Sequence, residues 1–157
     1  MRLDLVRVGY GHPDAMLLIA EVQAEYVLRY GGPDDTPLDP LMFEPPLGSF
    51  YVGYLDVDGS RRPVASGAWR RHEDVAAFGT HRTAEVKRMY VVPAARGRGL
   101  AREVLAHLEA TAAEAGAEAM ALYESSGYLP IPGFGHYAWS PSNRCYAKPL
   151  PTTGAAP

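Results

Sequence analysis

Apolar and charged residues alternate along Leu3-Asp4-Leu5-Val6-Arg7-Val8, the two-residue period of a half-buried strand. Gly11-His12-Pro13-Asp14 interrupts it, and Pro13 suits the first position of a helix. Met16, Leu17, Ile19, Ala20, Val22, Val27 and Leu28 then recur at roughly helical period until Gly31-Gly32-Pro33. A short helix is expected from Leu38 to Phe43, closed by Pro45-Pro46. Between Ser49 and Asp56, Phe50, Val52 and Tyr54 alternate with Tyr51, Gly53 and Leu55, a strand. Asp58-Gly59-Ser60 turns it back into a partner over Pro63 to Arg71. Gly67 inside that return strand marks a bulge or a close approach of backbone. Arg71 to Thr83 is polar and reads as a loop. Another strand begins at Thr83 and ends at Pro93, which has no N–H to donate to a ladder. The helix after it carries Leu100, Val104, Leu105, Leu108 and Ala112 on one face. Arg102, Glu103, His107, Glu109 and Glu114 occupy the other, and Gly116 caps the end. Glu118 to Tyr128 reads as a second, shorter helix capped by Gly127 and followed by a strand from Tyr128. Tyr128 to Tyr137 is an aromatic loop punctuated by proline and glycine, and Arg144 to Lys148 is a closing strand.

The chemistry concentrates where the strand containing Met89, Tyr90 and Val91 gives way to the long helix, at Arg96-Gly97-Arg98-Gly99-Leu100-Ala101. A strand, a glycine-bearing turn and a helix in that order leave backbone N–H groups free at the helix start. With the helix dipole, those groups attract an anion. Two glycines let a phosphate approach without meeting a Cβ, and Arg96 and Arg98 add forked positive charge. A Walker loop requires Gly-Lys-Ser/Thr after its glycines, and Leu100-Ala101 is not that. A dinucleotide fingerprint requires Gly or Ala where Arg102 stands, and a second strand ending in an acidic residue, which does not follow.

The bulk properties narrow the setting. A length of 157 residues fits one domain, here 1–150, with 151–157 as a flexible tail. The apolar fraction of 47% and charged fraction of 21% are those of a globular protein. A net charge of −3 provides no basic field for nucleic acid, and no apolar run approaches a membrane span. Met1-Arg2-Leu3-Asp4 lacks a signal-peptide core, so a cytoplasmic location is expected. Cys145 is the single cysteine and the five histidines are scattered, so no metal site is expected.

Arg96-Gly97-Arg98-Gly99-Leu100-Ala101, preceded by Val91-Val92-Pro93, closely resembles the diphosphate loop of the GNAT N-acetyltransferase family, Arg/Gln-x-x-Gly-x-Gly/Ala after a "V-x-P" strand end. Ala121-Leu122-Tyr123-Glu124-Ser125-Ser126-Gly127-Tyr128 looks like that family's second signature, and Val64-Ala65-Ser66-Gly67 like its hairpin strand. The resemblance covers residues 61–149 well and the N-terminal third loosely. It implies an α/β fold with a mixed, largely antiparallel sheet flanked by helices on both faces. It also implies transfer of an acetyl group from acetyl-CoA to a primary amine of a small molecule or peptide. Backbone groups of Met89, Tyr90 and Val91 would line the pantetheine arm, and Arg96, Gly97, Arg98, Gly99, Leu100 and Ala101 would hold the diphosphate. Tyr123 would assist the departing thiolate, since a phenol keeps its proton at neutral pH. Glu85, early in the same strand, would be the base that keeps the amine neutral for attack. Its bland alternative is a charge paired with Lys87 or Arg88. Glu25, Tyr26, Tyr30 and the loop through Asp34-Asp35-Thr36 fall where the family selects its acceptor. A homodimer stays open.

The sequence departs from the family pattern in one place. A strand normally separates the two helices, and only Gly116-Ala117-Glu118 stands between them here, with no β-branched run before Leu122. On that reading a strand is missing between Ala115 and Met120, either lost together with one wall of the cofactor wedge or omitted from the sequence as given, and the intact Leu-Tyr signature favours omission. The alternative function is then a CoA-binding module without turnover. A nucleotide-binding domain using the same loop is the other rival.

Overall fold

The computed structural model describes residues 2–33, 39–72, 76–122, 129–131 and 145–151. Among them, seven strands form one sheet in the order β1-β2-β3-β4-β5-β7-β6: β1 (Asp4–Val8), β2 (Gly48–Val57), β3 (Ser60–Arg71), β4 (Thr83–Val91), β5 (Ala119–Leu122), β6 (Leu129–Ile131) and β7 (Cys145–Pro149). Every pairing is antiparallel except β4 with β5. Two α-helices, α1 (Pro13–Tyr30) and α2 (Leu100–Glu114), cover opposite faces. Among the described residues no helix is long and apolar enough to cross a membrane.

The period-two pattern of β2 explains the layering. Phe50, Val52 and Tyr54 pack with Leu18, Ile19 and Val22 of α1, together with Ala68 and Tyr90. Tyr51 and Leu55 face the other way, into a cluster with Val104, Leu105 and Leu108 of α2, Trp69, Val86 and Val91. Because both faces are covered, both sets of the alternation are buried. Each large aliphatic side chain buried this way contributes about 1.5–3 kcal/mol.

Gly67 is both things its position in the sequence predicted. A Cβ there would lie 2.6 Å from Val104 Cγ1, so the glycine lets α2 approach the sheet. The β3–β4 register also slips beside it: Ser66 pairs with Tyr90 but Ala68 with Lys87, which leaves one extra residue on β4. Arg88 absorbs that bulge with a left-handed φ of 54°, and its carbonyl accepts from Ser66 Oγ at 2.9 Å.

Both helices stop as their sequences require. Gly31, at φ 81°, returns its N–H to Val27 O at 3.0 Å. At the end of α2, Gly116 takes φ 100°, its N–H meets Ala113 O at 3.0 Å, and Ala117 N–H meets Ala112 O at 3.0 Å. That is the Schellman arrangement. The short helix before the double proline is a single 3-10 turn, Pro40–Phe43. The expected Leu38 start lies outside the described residues.

One expectation is overturned. The strand thought to be missing after α2 is present. The chain runs from Glu114 through the Gly116 turn into β5, and Thr83, Ala84 and Glu85 pair in parallel with Ala119, Met120 and Ala121. Ala119–Leu122, within the supposed second helix, are therefore a strand, buried throughout. Ala-Met-Ala-Leu has little strand propensity. Placement between β4 and β7 overrides it, since Ala119, Met120 and Ala121 find ladder partners on both sides. The remainder of that expected helix, 123–128, lies outside the described residues, as do 132–144 and 152–157.

Candidate active site

β4 is paired with β3 along its length but with β5 only as far as Glu85. Among the described residues, Val86 to Val91 have no neighbour on the β5 side. Val92 N–H bonds to Val64 O at 2.9 Å, so Ala65 and Val91 form a non-hydrogen-bonded pair. The N–H and C=O of Val91 consequently point away from β3, toward the open edge. The two-residue alternation gives Met89 the same direction. Tyr90 lies between them, pairs with Ser66 and buries its ring on the α1 side. Its hydroxyl pKa is raised, first by burial and then by Glu21 and Glu25.

The open edge leads into the loop before α2. Pro93–Ala95 make one 3-10 turn, and Arg96 N–H returns to Pro93 O at 3.3 Å. Gly97 and Gly99 follow with φ of 82° and 77°. A Cβ at either glycine would touch nothing within 4 Å, so the space above the backbone is open. No side chain caps α2, and its first intrahelical bond is Glu103 N–H to Gly99 O at 3.2 Å. The N–H groups of Gly97, Arg98, Gly99, Leu100 and Ala101 have no protein acceptor among the described residues. Uncapped amides, a dipole start and left-handed glycines over open space are what a diphosphate requires.

The two arginines of the loop differ. Arg98 is exposed. Arg96 turns back: its Nε donates to Val91 O at 2.9 Å and its Nη2 to Glu25 Oε2 at 2.7 Å. The sequence placed Glu25 among acceptor-side residues without identifying this partner.

Glu85 is 1% exposed. It does not pair with Lys87 or Arg88 in the way its bland alternative supposed. Arg70, directly across the ladder, donates from Nε to Glu85 Oε1 at 2.8 Å. Sequence reasoning missed this because the bulge beside Gly67 shifts the count between β3 and β4. Tyr123 lies outside the described residues. Cys145 opens β7, which is separated from β4 by β5. Among the described residues no group of His, Cys, Asp and Glu has the arrangement of a metal site. A cavity of about 340 Å³, lined by Trp69, Arg71, His81, Arg82 and Gly116 among others, sits at the far end of α2 and shares no residue with the loop.

Residues 19–128 match the model of the acetyltransferase (GNAT) family. The chain belongs to this family. Solved structures agree on the fold of this GNAT chain. A candidate acyl-CoA N-acyltransferase from Klebsiella pneumoniae is 22% identical, with a TM-score of 0.71 over 94% of this chain and 97% of that one. A GNAT-family acetyltransferase from Staphylococcus aureus is 13% identical, with a TM-score of 0.64 over 96% of this chain and all of that one, 100%. N-acetylglutamate synthase from Neisseria gonorrhoeae, solved with coenzyme A and N-acetyl-glutamate, is 13% identical with a TM-score of 0.63. There the match spans 96% of this chain but 36% of the synthase. No curated protein sequence matches the chain. Family membership supports acetyl transfer in general.

Proposed function

We propose that this chain transfers an acetyl group from acetyl-CoA to a primary amine of a small molecule or peptide, by direct attack of the amine on the thioester. The observation that carries the reading is the run of unengaged amides from Gly97 to Ala101 beside the unpaired edge of β4. Bound acetyl-CoA supplies the acyl group in activated, thioester form. The amides hold its diphosphate, with Arg98 adding charge from the exposed side. The peptide groups of Met89 and the N–H of Val91 offer a strand-like edge to the pantetheine amides. Val91's carbonyl already accepts one bond, from Arg96. Tyr90 supports that edge from beneath with its ring.

Glu85 receives the proton that the amine must lose before it can attack. Being 1% exposed, it acts through an intervening water rather than by contact. Arg70 keeps its carboxylate in one orientation. Tyr123 donates to the leaving thiolate. No cysteine relay takes part in this reading, because Cys145 stands two strands away from β4 in the sheet order. Acceptor contacts fall to α1 and the loop after it.

A thiol-release assay with acetyl-CoA and a panel of amines tests the proposal. Release that depends on the amine, with an acetyl mass increment on that amine, is the expected result. CoA binding without release for any amine would favour a binding module. Saturable binding of ATP or NADP but not of CoA would favour a nucleotide domain.

A further inference from the structure

Arg96 joins three elements through one side chain. Its Nε caps the Val91 carbonyl at the end of β4 at 2.9 Å, and its Nη2 meets Glu25 of α1 at 2.7 Å. Its guanidinium carbon lies 5.7 Å from the centre of the Tyr90 ring. Glu25 is in turn held from its other oxygen by Arg29 at 3.3 Å. Arg96 is the residue immediately before the two left-handed glycines, so its anchorage fixes where the run of free amides begins.

We infer that Glu25 is a positioning residue of the diphosphate site: acting through Arg96, it sets the shape of the 96–99 loop and ties α1 to the cosubstrate end of β4. This rests on the reading that the amides of Gly97 to Ala101 hold a diphosphate. The physical reason is entropic. Two glycines give the loop wide conformational freedom, and a loop that is not already shaped must be ordered when the ligand arrives. A guanidinium has a rigid, planar set of donors, so two charge-assisted or carbonyl bonds to it leave Arg96 one orientation. Glu25 and Arg96 belong to α1 and to the loop, 71 positions apart in the chain. The brace therefore couples the acceptor-side helix to the diphosphate.

The rival explanation has the opposite sign. If Arg96 were itself a phosphate ligand, Glu25 would compete with the phosphates for it. A carboxylate near a diphosphate is also repulsive, so removing Glu25 would tighten CoA. The brace predicts that removal weakens CoA.

Calorimetric titration of CoA into the intact chain decides between them, using Glu25→Ala, Arg96→Ala, the double variant, Glu25→Gln and Arg98→Ala at two salt concentrations. The expected result is a loss of about 10-fold in CoA affinity for each member of the pair, and no more than about 10-fold for the double variant. Glu25→Gln, which keeps an oxygen acceptor, recovers most of the affinity. Arg98→Ala reduces the salt dependence of binding, whereas Glu25→Ala and Arg96→Ala leave it as in the wild type. In turnover the pair raises KM for acetyl-CoA and leaves kcat within about 3-fold, because the chemistry occurs elsewhere. Tighter CoA binding by Glu25→Ala, additive losses in the double variant, or a salt response of Arg96→Ala like that of Arg98→Ala would overturn the assignment of Glu25 alone. A wild-type chain that does not bind CoA would overturn the parent reading and this inference with it. The pair is partly exposed, so its loss leaves the fold standing.

Discussion

At the residue scale, Gly97 and Gly99 separate backbone conformation from space. Nothing lies within 4 Å of a Cβ built at either position, so an alanine would not clash with the protein. It would still be forced into left-handed backbone, which costs about 1–2 kcal/mol for an L-residue. Gly97→Ala and Gly99→Ala should therefore lower stability by about that much in chemical denaturation. They should also weaken CoA, because relief of the strain moves the free amides. The Glu85 test needs the same separation. Removing one member of a buried ion pair costs about 3–5 kcal/mol, so truncation to alanine would confuse folding with chemistry. Glu85→Gln leaves Arg70 an oxygen to bond. If Glu85 is the base, this variant loses about 10²–10⁴-fold in kcat while remaining folded by circular dichroism. Tyr123→Phe should reduce kcat without raising KM for acetyl-CoA. Unchanged turnover in either variant would remove that residue from the chemistry.

At the element scale, the contact of α2 with the sheet depends on Gly67. Val104 is stiff at χ1, and its Cγ1 sits 2.6 Å from where a Cβ would be. Gly67→Ala should destabilise the domain by about 1–3 kcal/mol, and pairing it with Val104→Ala should return part of that loss. α2 also carries a pH response. His107 stacks edge-on against Tyr51 with ring centres 4.5 Å apart, and burial lowers its pKa against the opposing pull of Glu114. A lowered histidine favours the neutral ring in the folded state. Its contribution is full above the ordinary histidine value near 6.5 and is lost as pH falls from there through the folded value. His107→Leu should flatten that part of the stability–pH curve, measured by denaturation at pH 7.5 and pH 5.5. The sequence had placed His107 on a polar face, and its neighbour Tyr51 was visible only once the β2 register was known. β5 shows where sequence reasoning reaches its limit. β1, β2, α1 and α2 were legible because their apolar residues recur at 2.0 or 3.6, β3 because a turn precedes it, and β4 because of its apolar run before Pro93. Ala119–Leu122 is too short and too poor in β-branched residues to declare itself, and only its two neighbours in the sheet make it a strand. The Arg70–Glu85 and Glu25–Arg96 pairs were hidden for a related reason. Each joins residues whose proximity depends on register and packing, which motif spacing does not contain.

At the scale of the whole molecule, the free amides before α2 and the unpaired edge of β4 are two unbonded runs of backbone, separated by the hydrogen-bonded 3-10 turn at Pro93–Ala95, within a fold otherwise held together by ladders. A ligand that satisfies them should stabilise the native state by mass action. CoA at 100 times its dissociation constant adds about 2.7 kcal/mol, which raises the thermal midpoint of a domain this size by roughly 5–10 °C. Adenosine, which lacks the diphosphate, should shift it far less. The most direct test is a two-dimensional amide spectrum of the 15N-labelled chain titrated with CoA. The N–H resonances of Gly97, Arg98, Gly99, Leu100 and Ala101 should move downfield together, along with those of Met89 and Val91, and saturate with one binding constant. Saturation with these signals unmoved, or with the shifts confined to the far end of α2 around Arg71 and Arg82, would contradict it.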